Sequence, residues 1–135
     1  RRSGESLADN VSPAMGRDVH GPTATVLSVA KIDQLNTTDG TLYNLRFDPR
    51  SISGEKGIET LGGVVKTYFE YNGHHIQINV VDDDTLRDAQ EHPENYKNLL
   101  VRVAGYLAYF TELDKSVQDN IISRTVHKPD GGCGC

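Results

Sequence analysis

Between residues 41 and 124 the spacing of apolar side chains alternates between two and three-to-four, and this alternation confines the chain to a mixed α/β fold. In Thr41-Leu42-Tyr43-Asn44-Leu45-Arg46-Phe47, Leu45 and Phe47 alternate with polar Asn44 and Arg46, predicting a strand that ends at Asp48-Pro49. From 58 to about 71, Leu61, Val64, Val65, Tyr68 and Phe69 recur three and four apart as the stripe of an amphipathic helix. Gly62-Gly63 weakens that helix by roughly 1 kcal/mol per glycine. Asn72-Gly73 then turns the chain into His75-Ile76-Gln77-Ile78-Asn79-Val80, a period-two strand with Ile76, Ile78 and Val80 on one face. A helix follows over 85–91, capped by Asp83 or Asp84 and stopped by His92-Pro93. Residues 99–103 predict a buried strand. The last helix spans 114 to about 124, with Leu113, Val117 and Ile121 at four-residue intervals and Thr111-x-x-Asp114 as a capping box.

Upstream, Val26, Val29 and Ala30 predict a short helix over 23–32, started by Gly21-Pro22. Residues 1–21 carry Ser12-Pro13, Gly16 and Gly21-Pro22 with little apolar periodicity, the pattern of an extended, irregular segment. At 135 residues the chain is one modest domain. Such a chain buries only roughly two-thirds of the surface its unfolded form exposes, so it leans on something larger.

Charge and hydropathy exclude two classes of partner. Lys plus Arg number 14 against 19 Asp plus Glu, a net charge of -5, whereas a nucleic-acid binder draws its affinity from a basic face. The longest largely apolar run, 99–110, is interrupted by Arg102 and falls short of the about 20 residues that cross a bilayer. The first residues, Arg-Arg-Ser-Gly-Glu-Ser, contain neither Met nor an apolar signal region, as in a cut through a longer protein.

The cysteines, Cys133 and Cys135, stand one residue apart beside Pro129, Gly131, Gly132 and Gly134. They cannot tie distant segments together, which points to a reducing, cytoplasmic setting. Residues 128–135 are expected to be a flexible, non-catalytic Gly/Cys tail behind a domain of residues 1–127. A metal-binding module built from the two cysteines and a histidine is the competing reading, although two thiolates leave a tetrahedral site half empty. His74 and His75 are adjacent and point to opposite faces of a strand. His20, His92 and His127 lack ligand spacing, and Asp82-Asp83-Asp84 lacks the glycine and distal glutamate of a calcium loop. No metal site is expected.

The chemistry-bearing stretch is Leu100-Val101-Arg102-Val103-Ala104-Gly105-Tyr106-Leu107-Ala108-Tyr109-Phe110, a strand-forming run that crosses a glycine and resumes. By local physics Gly105 permits positive φ, or close backbone approach, at a tight bend between strands. Arg102-Val103-Ala104-Gly105-Tyr106, followed by Ala108, also resembles the radical-bearing loop of the glycyl radical enzymes. That family includes pyruvate formate-lyase and the glycerol, propanediol and choline lyases. The resemblance continues in order through Asp9 to Pro13, Gly16-Arg17-Asp18, Gly21-Pro22-Thr23-Ala24, the run from His75 to Val81, and Thr85-Leu86-Arg87-Asp88-Ala89-Gln90. It ends with Pro93-Glu94-x-Tyr96 and Gln118-Asp119-x-Ile121-Ile122-x-Arg124-Thr125.

The resemblance implies the C-terminal portion of a ten-stranded α/β barrel, with the radical glycine on a loop inserted towards the barrel centre. It implies a protein-derived radical at Gly105 and no other cofactor bound by this chain. A separate activating enzyme, using S-adenosylmethionine and an iron–sulfur cluster, would create the radical by removing one hydrogen from the glycine Cα. The radical would then pass to a cysteine on another loop and attack a small-molecule substrate. Arg102, Val103, Ala104 and Tyr106 are the loop neighbours. Arg102 is expected to hold the loop through a carboxylate or backbone carbonyls, the other reading being a cation at the solvent end of a strand. Tyr106 either packs over the radical or fills core space.

The chain contains no internal cysteine, so the expected thiol lies outside it, on the missing N-terminal portion of a homodimeric enzyme or on a docking partner. The corresponding alternatives are a piece of a longer dehydratase or lyase and a stand-alone radical subunit that replaces an oxygen-damaged C-terminus. Arg102-Val103-Ala104-Gly105-Tyr106 with Tyr109-Phe110, and Gly21-Pro22-Thr23-Ala24 upstream, resemble the dehydratase and lyase branch more than the formate acetyltransferase branch. Leu107 departs from the small residue expected there.

Overall fold

The two apolar periods are realised as strands and helices that build a βαβ unit and a hairpin. The computed structural model describes residues 8–127. In chain order its main elements are α1 (Gly21–Val29), β1 (Tyr43–Phe47), α2 (Gly54–Glu70), β2 (Ile76–Val80), α3 (Asp83–Glu91), β3 (Leu100–Arg102), β4 (Leu107–Tyr109), α4 (Lys115–Ser123) and β5 (Val126–His127). Strands β1 and β2 pair in parallel from Tyr43↔Ile76 to Phe47↔Val80. Parallel neighbours require a long crossover, which α2 supplies. Strand β5, too short to show a period in the sequence, pairs in parallel on the other side of β1. The sheet is thus ordered β2-β1-β5, and β3 and β4 form a separate antiparallel pair.

As the central strand, β1 is buried at all five positions. Asn44 and Arg46, the polar positions of the alternation, are buried with the rest, because a parallel sheet is covered on both faces. One face carries Tyr43, Leu45 and Phe47, which pack with Val26, Val29, Val64 and Tyr68 of α1 and α2, and Ile76 and Ile78 join them. Val80, expected on that apolar face, is 47% exposed. The opposite face is polar and buried. Register places Asn44 beside Gln77 and Arg46 beside Asn79 there. Over it lies the second core, in which Val81, Leu86, Ala89, Val101, Val103, Phe110, Ile121 and Ile122 join α3, the hairpin and α4.

Several boundaries move for local reasons. Helix α1 starts at Gly21, with Pro22 in its first turn, and stops at Val29. Helix α2 begins at Gly54, not at 58. The cap of α3 is Asp82, whose carboxylate accepts the Thr85 N–H at 2.6 Å, not Asp83 or Asp84. Asp114 precedes α4 without a side-chain cap bond, and Thr111 lies in a single-turn 3-10 helix, so no capping box forms. Residues 8–20, before α1, are irregular, as the composition there predicts. They are tied to the residues entering β1, where Asn10 Oδ1 accepts the Leu42 N–H at 3.1 Å and Ser12 Oγ accepts the Asn44 N–H at 2.9 Å. The fold is mixed α/β, and the described residues do not close a barrel.

Candidate functional site

The run from Leu100 to Phe110 folds as the β3–β4 hairpin, with Gly105 in its turn. Strand pairs Leu100↔Tyr109, Val101↔Ala108 and Arg102↔Leu107 lead to a closing bond from Val103 N–H to the Tyr106 carbonyl at 3.0 Å. Ala104 and Gly105 are the two tip residues, and Gly105 has φ +96°. A side chain there is strained by roughly 1–3 kcal/mol whatever the surrounding space. Space is not the constraint, because a Cβ at Gly105 meets nothing within 4 Å. Backbone conformation alone demands glycine among the described residues.

The hairpin has two unlike faces. Val101 and Val103 are 1% and 7% exposed and belong to the second core, whereas Leu100, Tyr106, Leu107 and Tyr109 are each between 41% and 55% exposed. Tyr106 therefore does not fill core space among the described residues. Ala104 and Gly105 are exposed as well, and Arg102 is half-buried.

Polar side chains from the body grip the hairpin by its backbone. Asn79 acts as a substitute strand: its Oδ1 accepts the Arg102 N–H at 2.8 Å and its Nδ2 donates to the Arg102 carbonyl at 2.9 Å. Two residues earlier on the same face of β2, Gln77 Oε1 accepts the Gly105 N–H at 3.2 Å. Arg124, just beyond α4, donates to the carbonyls of Val103 at 2.7 Å and Arg102 at 3.3 Å. Its Nε lies 2.8 Å from Asp9 Oδ2, an ion pair whose N–H is not aligned for a hydrogen bond. The loop-holding guanidinium is therefore that of Arg124, while the Arg102 side chain forms no ion pair or hydrogen bond with the described residues. What Arg102 contributes is its main chain.

Arg46 supports this clamp from below. It is 1% exposed and donates to the carbonyls of Ile121, Ile122 and Arg124 at 3.2, 3.1 and 2.8 Å, and to Asp83 Oδ1 at 2.5 Å. A cation at the C-terminal end of a helix satisfies carbonyls that have no partner within the helix. Burial pushes the Arg46 pKa down, while Asp83 opposes the shift. The arrangement positions Arg124, and through it the hairpin turn.

A family profile described as "Glycine radical" matches residues 7–111. The chain belongs to the glycine radical family. It is 46% identical over 125 residues to trans-4-hydroxy-L-proline dehydratase of Clostridioides difficile, covering 93% of this chain and 16% of that protein. The glycerol-bound B12-independent glycerol dehydratase of Clostridium butyricum superposes with a TM-score of 0.90 at 48% identity, over 95% of this chain and 16% of the other. A structure concerning 1,2-propanediol dehydration in Roseburia inulinivorans gives a TM-score of 0.86 at 52% identity, over 89% and 15%. The chain thus spans about one-sixth of the length of these relatives. Its fold is the one these glycyl radical enzymes contain.

Sequence reasoning within this glycine radical domain found the hairpin and missed its holders. Gln77 and Asn79 occupy the polar half of a period-two strand and pass for a solvent face. Both are amides rather than charged residues, and that was the available signal. Arg124 stood in a family-like motif but without a role. Of the five histidines only His127 is buried, and among the described residues no three His, Cys, Asp or Glu side chains cluster as metal ligands. Cys133 and Cys135 lie outside the described residues. No helix among those residues is long and apolar enough to cross a membrane.

Proposed function

We propose that Gly105 stores an organic radical for an anaerobic dehydratase or lyase acting on a small hydroxylated molecule. The observation that carries this is the geometry of Gly105: within the matched family region, a glycine at φ +96° sits at an exposed turn with its amide fixed from the protein body. Activation removes one hydrogen atom, a proton with its electron, from the Gly105 Cα to the S-adenosylmethionine-derived radical of a separate iron–sulfur activating enzyme. The stored radical supplies hydrogen-atom abstraction: a cysteine thiol returns one hydrogen atom to the Gly105 Cα and is left as the thiyl that acts on substrate.

That cysteine lies outside these residues, because the sequence contains only Cys133 and Cys135, both after Gly105. The polypeptide that provides it also supplies the substrate pocket and covers Leu100, Tyr106, Leu107 and Tyr109, placing the turn towards a barrel centre. The three compared proteins support the dehydratase reading, since each is described by the dehydration, or as a dehydratase, of a hydroxylated compound. A cytoplasmic setting suits a radical that oxygen destroys.

Anaerobic activation of the assembled enzyme should give a doublet in electron paramagnetic resonance, and oxygen should then cut the chain at Gly105. Gly105→Ala should abolish both, while hydrogen exchange of the β1–β2 amides shows that the fold persists. A wild-type doublet in that variant overturns the assignment.

A further inference from the structure

Gln77 contacts the proposed radical residue directly, through an acceptor aimed at its amide. It is 3% exposed, so its acceptor is held inside the protein body and meets the amide of an exposed turn. Its Oε1 lies 3.2 Å from the Gly105 nitrogen. The orientation of the carboxamide is fixed by chemistry: the reversed amide would set an N–H against an N–H, so the oxygen must face Gly105. The Nε2 on the other side finds no acceptor among the described residues, which leaves the Gly105 amide as the side chain's hydrogen-bond partner. Asn79, on the same face of the strand, fixes both backbone groups of Arg102 and so sets the hairpin against Gln77.

Resting on the reading of Gly105 as the radical site, we infer that Gln77 is a positioning residue that stabilises the radical state through the Gly105 amide. When a hydrogen atom leaves the Cα, the amide nitrogen donates electron density towards the electron-poor carbon. The nitrogen becomes more positive and its N–H a stronger donor. A hydrogen bond to Gln77 Oε1 therefore strengthens in the radical state relative to the parent glycine, the condition under which a contact favours one state over the other. The same bond restrains the amide plane and with it the overlap of the nitrogen lone pair with the Cα orbital. Nothing is transferred to Gln77: the N–H bond stays intact, and the hydrogen atom leaves from Cα alone.

The test is electron paramagnetic and electron–nuclear double resonance of the assembled, anaerobically activated enzyme carrying 15N-glycine. Gln77→Met keeps the side-chain length and removes the acceptor, whereas Gln77→Glu keeps an acceptor oxygen. Gln77→Glu should keep a nitrogen coupling at least as large as that of the wild type, because a carboxyl oxygen is an equal or stronger acceptor. Gln77→Met should show a smaller nitrogen coupling, a larger Cα–H splitting and a several-fold shorter radical lifetime without oxygen. Loss of the doublet in Gln77→Met alone supports the role too. It is overturned if Gln77→Met matches the wild type in couplings and lifetime, or if both variants lose the doublet together. Absence of a Gly105 doublet in the wild type would instead overturn the radical reading.

Discussion

Strands β1 and β3 both run through apolar cores, yet they are attached to the molecule by different means. Strand β1 is joined to β2 by a parallel backbone ladder over five residue pairs and to β5 over two more. The hairpin shares no ladder with that sheet. Asn79, Gln77 and Arg124 hold its main chain through side-chain bonds, while Val101 and Val103 supply apolar contact. A ladder is lost by unzipping a sheet. Side-chain bonds are lost by rotation of three residues that stay with the body, so the hairpin can part from the sheet as a unit of lower local stability. The turn that carries Gly105 is thus held in position without being built into the sheet.

The largest expected effect comes from removing the residue on which both regions depend. Arg46 leaves the central strand and binds the end of α4 immediately before Arg124. Asp83 is partly exposed, so the main cost of losing Arg46 falls on the buried carbonyls, each acceptor left unsatisfied costing roughly 1–3 kcal/mol. Arg46→Ala should therefore lower the denaturation midpoint of the whole domain and accelerate exchange in sheet and hairpin alike. A variant that loosens the hairpin and leaves the sheet at wild-type stability would show that Arg46 serves the clamp alone.

Arg124→Ala should separate the two regions. It removes charge-assisted bonds to the carbonyls of Val103 and Arg102, each worth roughly 1.5–3 kcal/mol. Amide exchange at Arg102 and Gly105 should rise by about tenfold or more, because each 1.4 kcal/mol is a factor of about ten. The β1–β2 amides should keep their protection. Equal acceleration in both would mean that hairpin and sheet open together, and the contrast would fail.

The sequence made the sheet legible and the clamp hard to see, for a physical reason. Period-two and period-3.6 spacing reports which residues are apolar, so α2 and the Ile76, Ile78 face of β2 could be placed from it. Burial of polar residues leaves no such trace. Arg46 and Asn44 alternate with Leu45 and Phe47 in the way of a half-exposed strand, and only the sheet order shows that β1 is covered on both sides. Gln77 and Asn79 were hidden in the same way. Arg124 lies far along the chain from the turn it grips, and contacts at such separation come from tertiary packing. Gly105 was legible because a glycine interrupting a strand-forming run already calls for a turn, and the ordered family-like motifs supplied the chemistry.

His127 offers the smallest effect and the finest probe of the sheet side of the contrast. It is 4% exposed at the end of β5, its ring centroid lies 5.5 Å from that of Phe47, and Nε2 is 3.9 Å from Asp18 Oδ2. Burial pushes its pKa below the usual 6.5, with Asp18 partly opposing. Above 6.5 the imidazole is neutral in both the folded and the unfolded chain, and the shift has no effect on stability. As pH falls below 6.5 the unfolded chain takes up a proton that the folded chain refuses, so stability declines until the folded pKa is passed and then levels off for this group. His127→Gln removes that component. Urea midpoints measured from about pH 5 to 8 should show a wild-type advantage that is constant at the alkaline end and shrinks below 6.5. Parallel curves across the range would mean that His127 does not resist protonation in the fold. Because β5 belongs to the sheet, the change should register in the β1 amides while the Gly105 amide keeps its wild-type exchange.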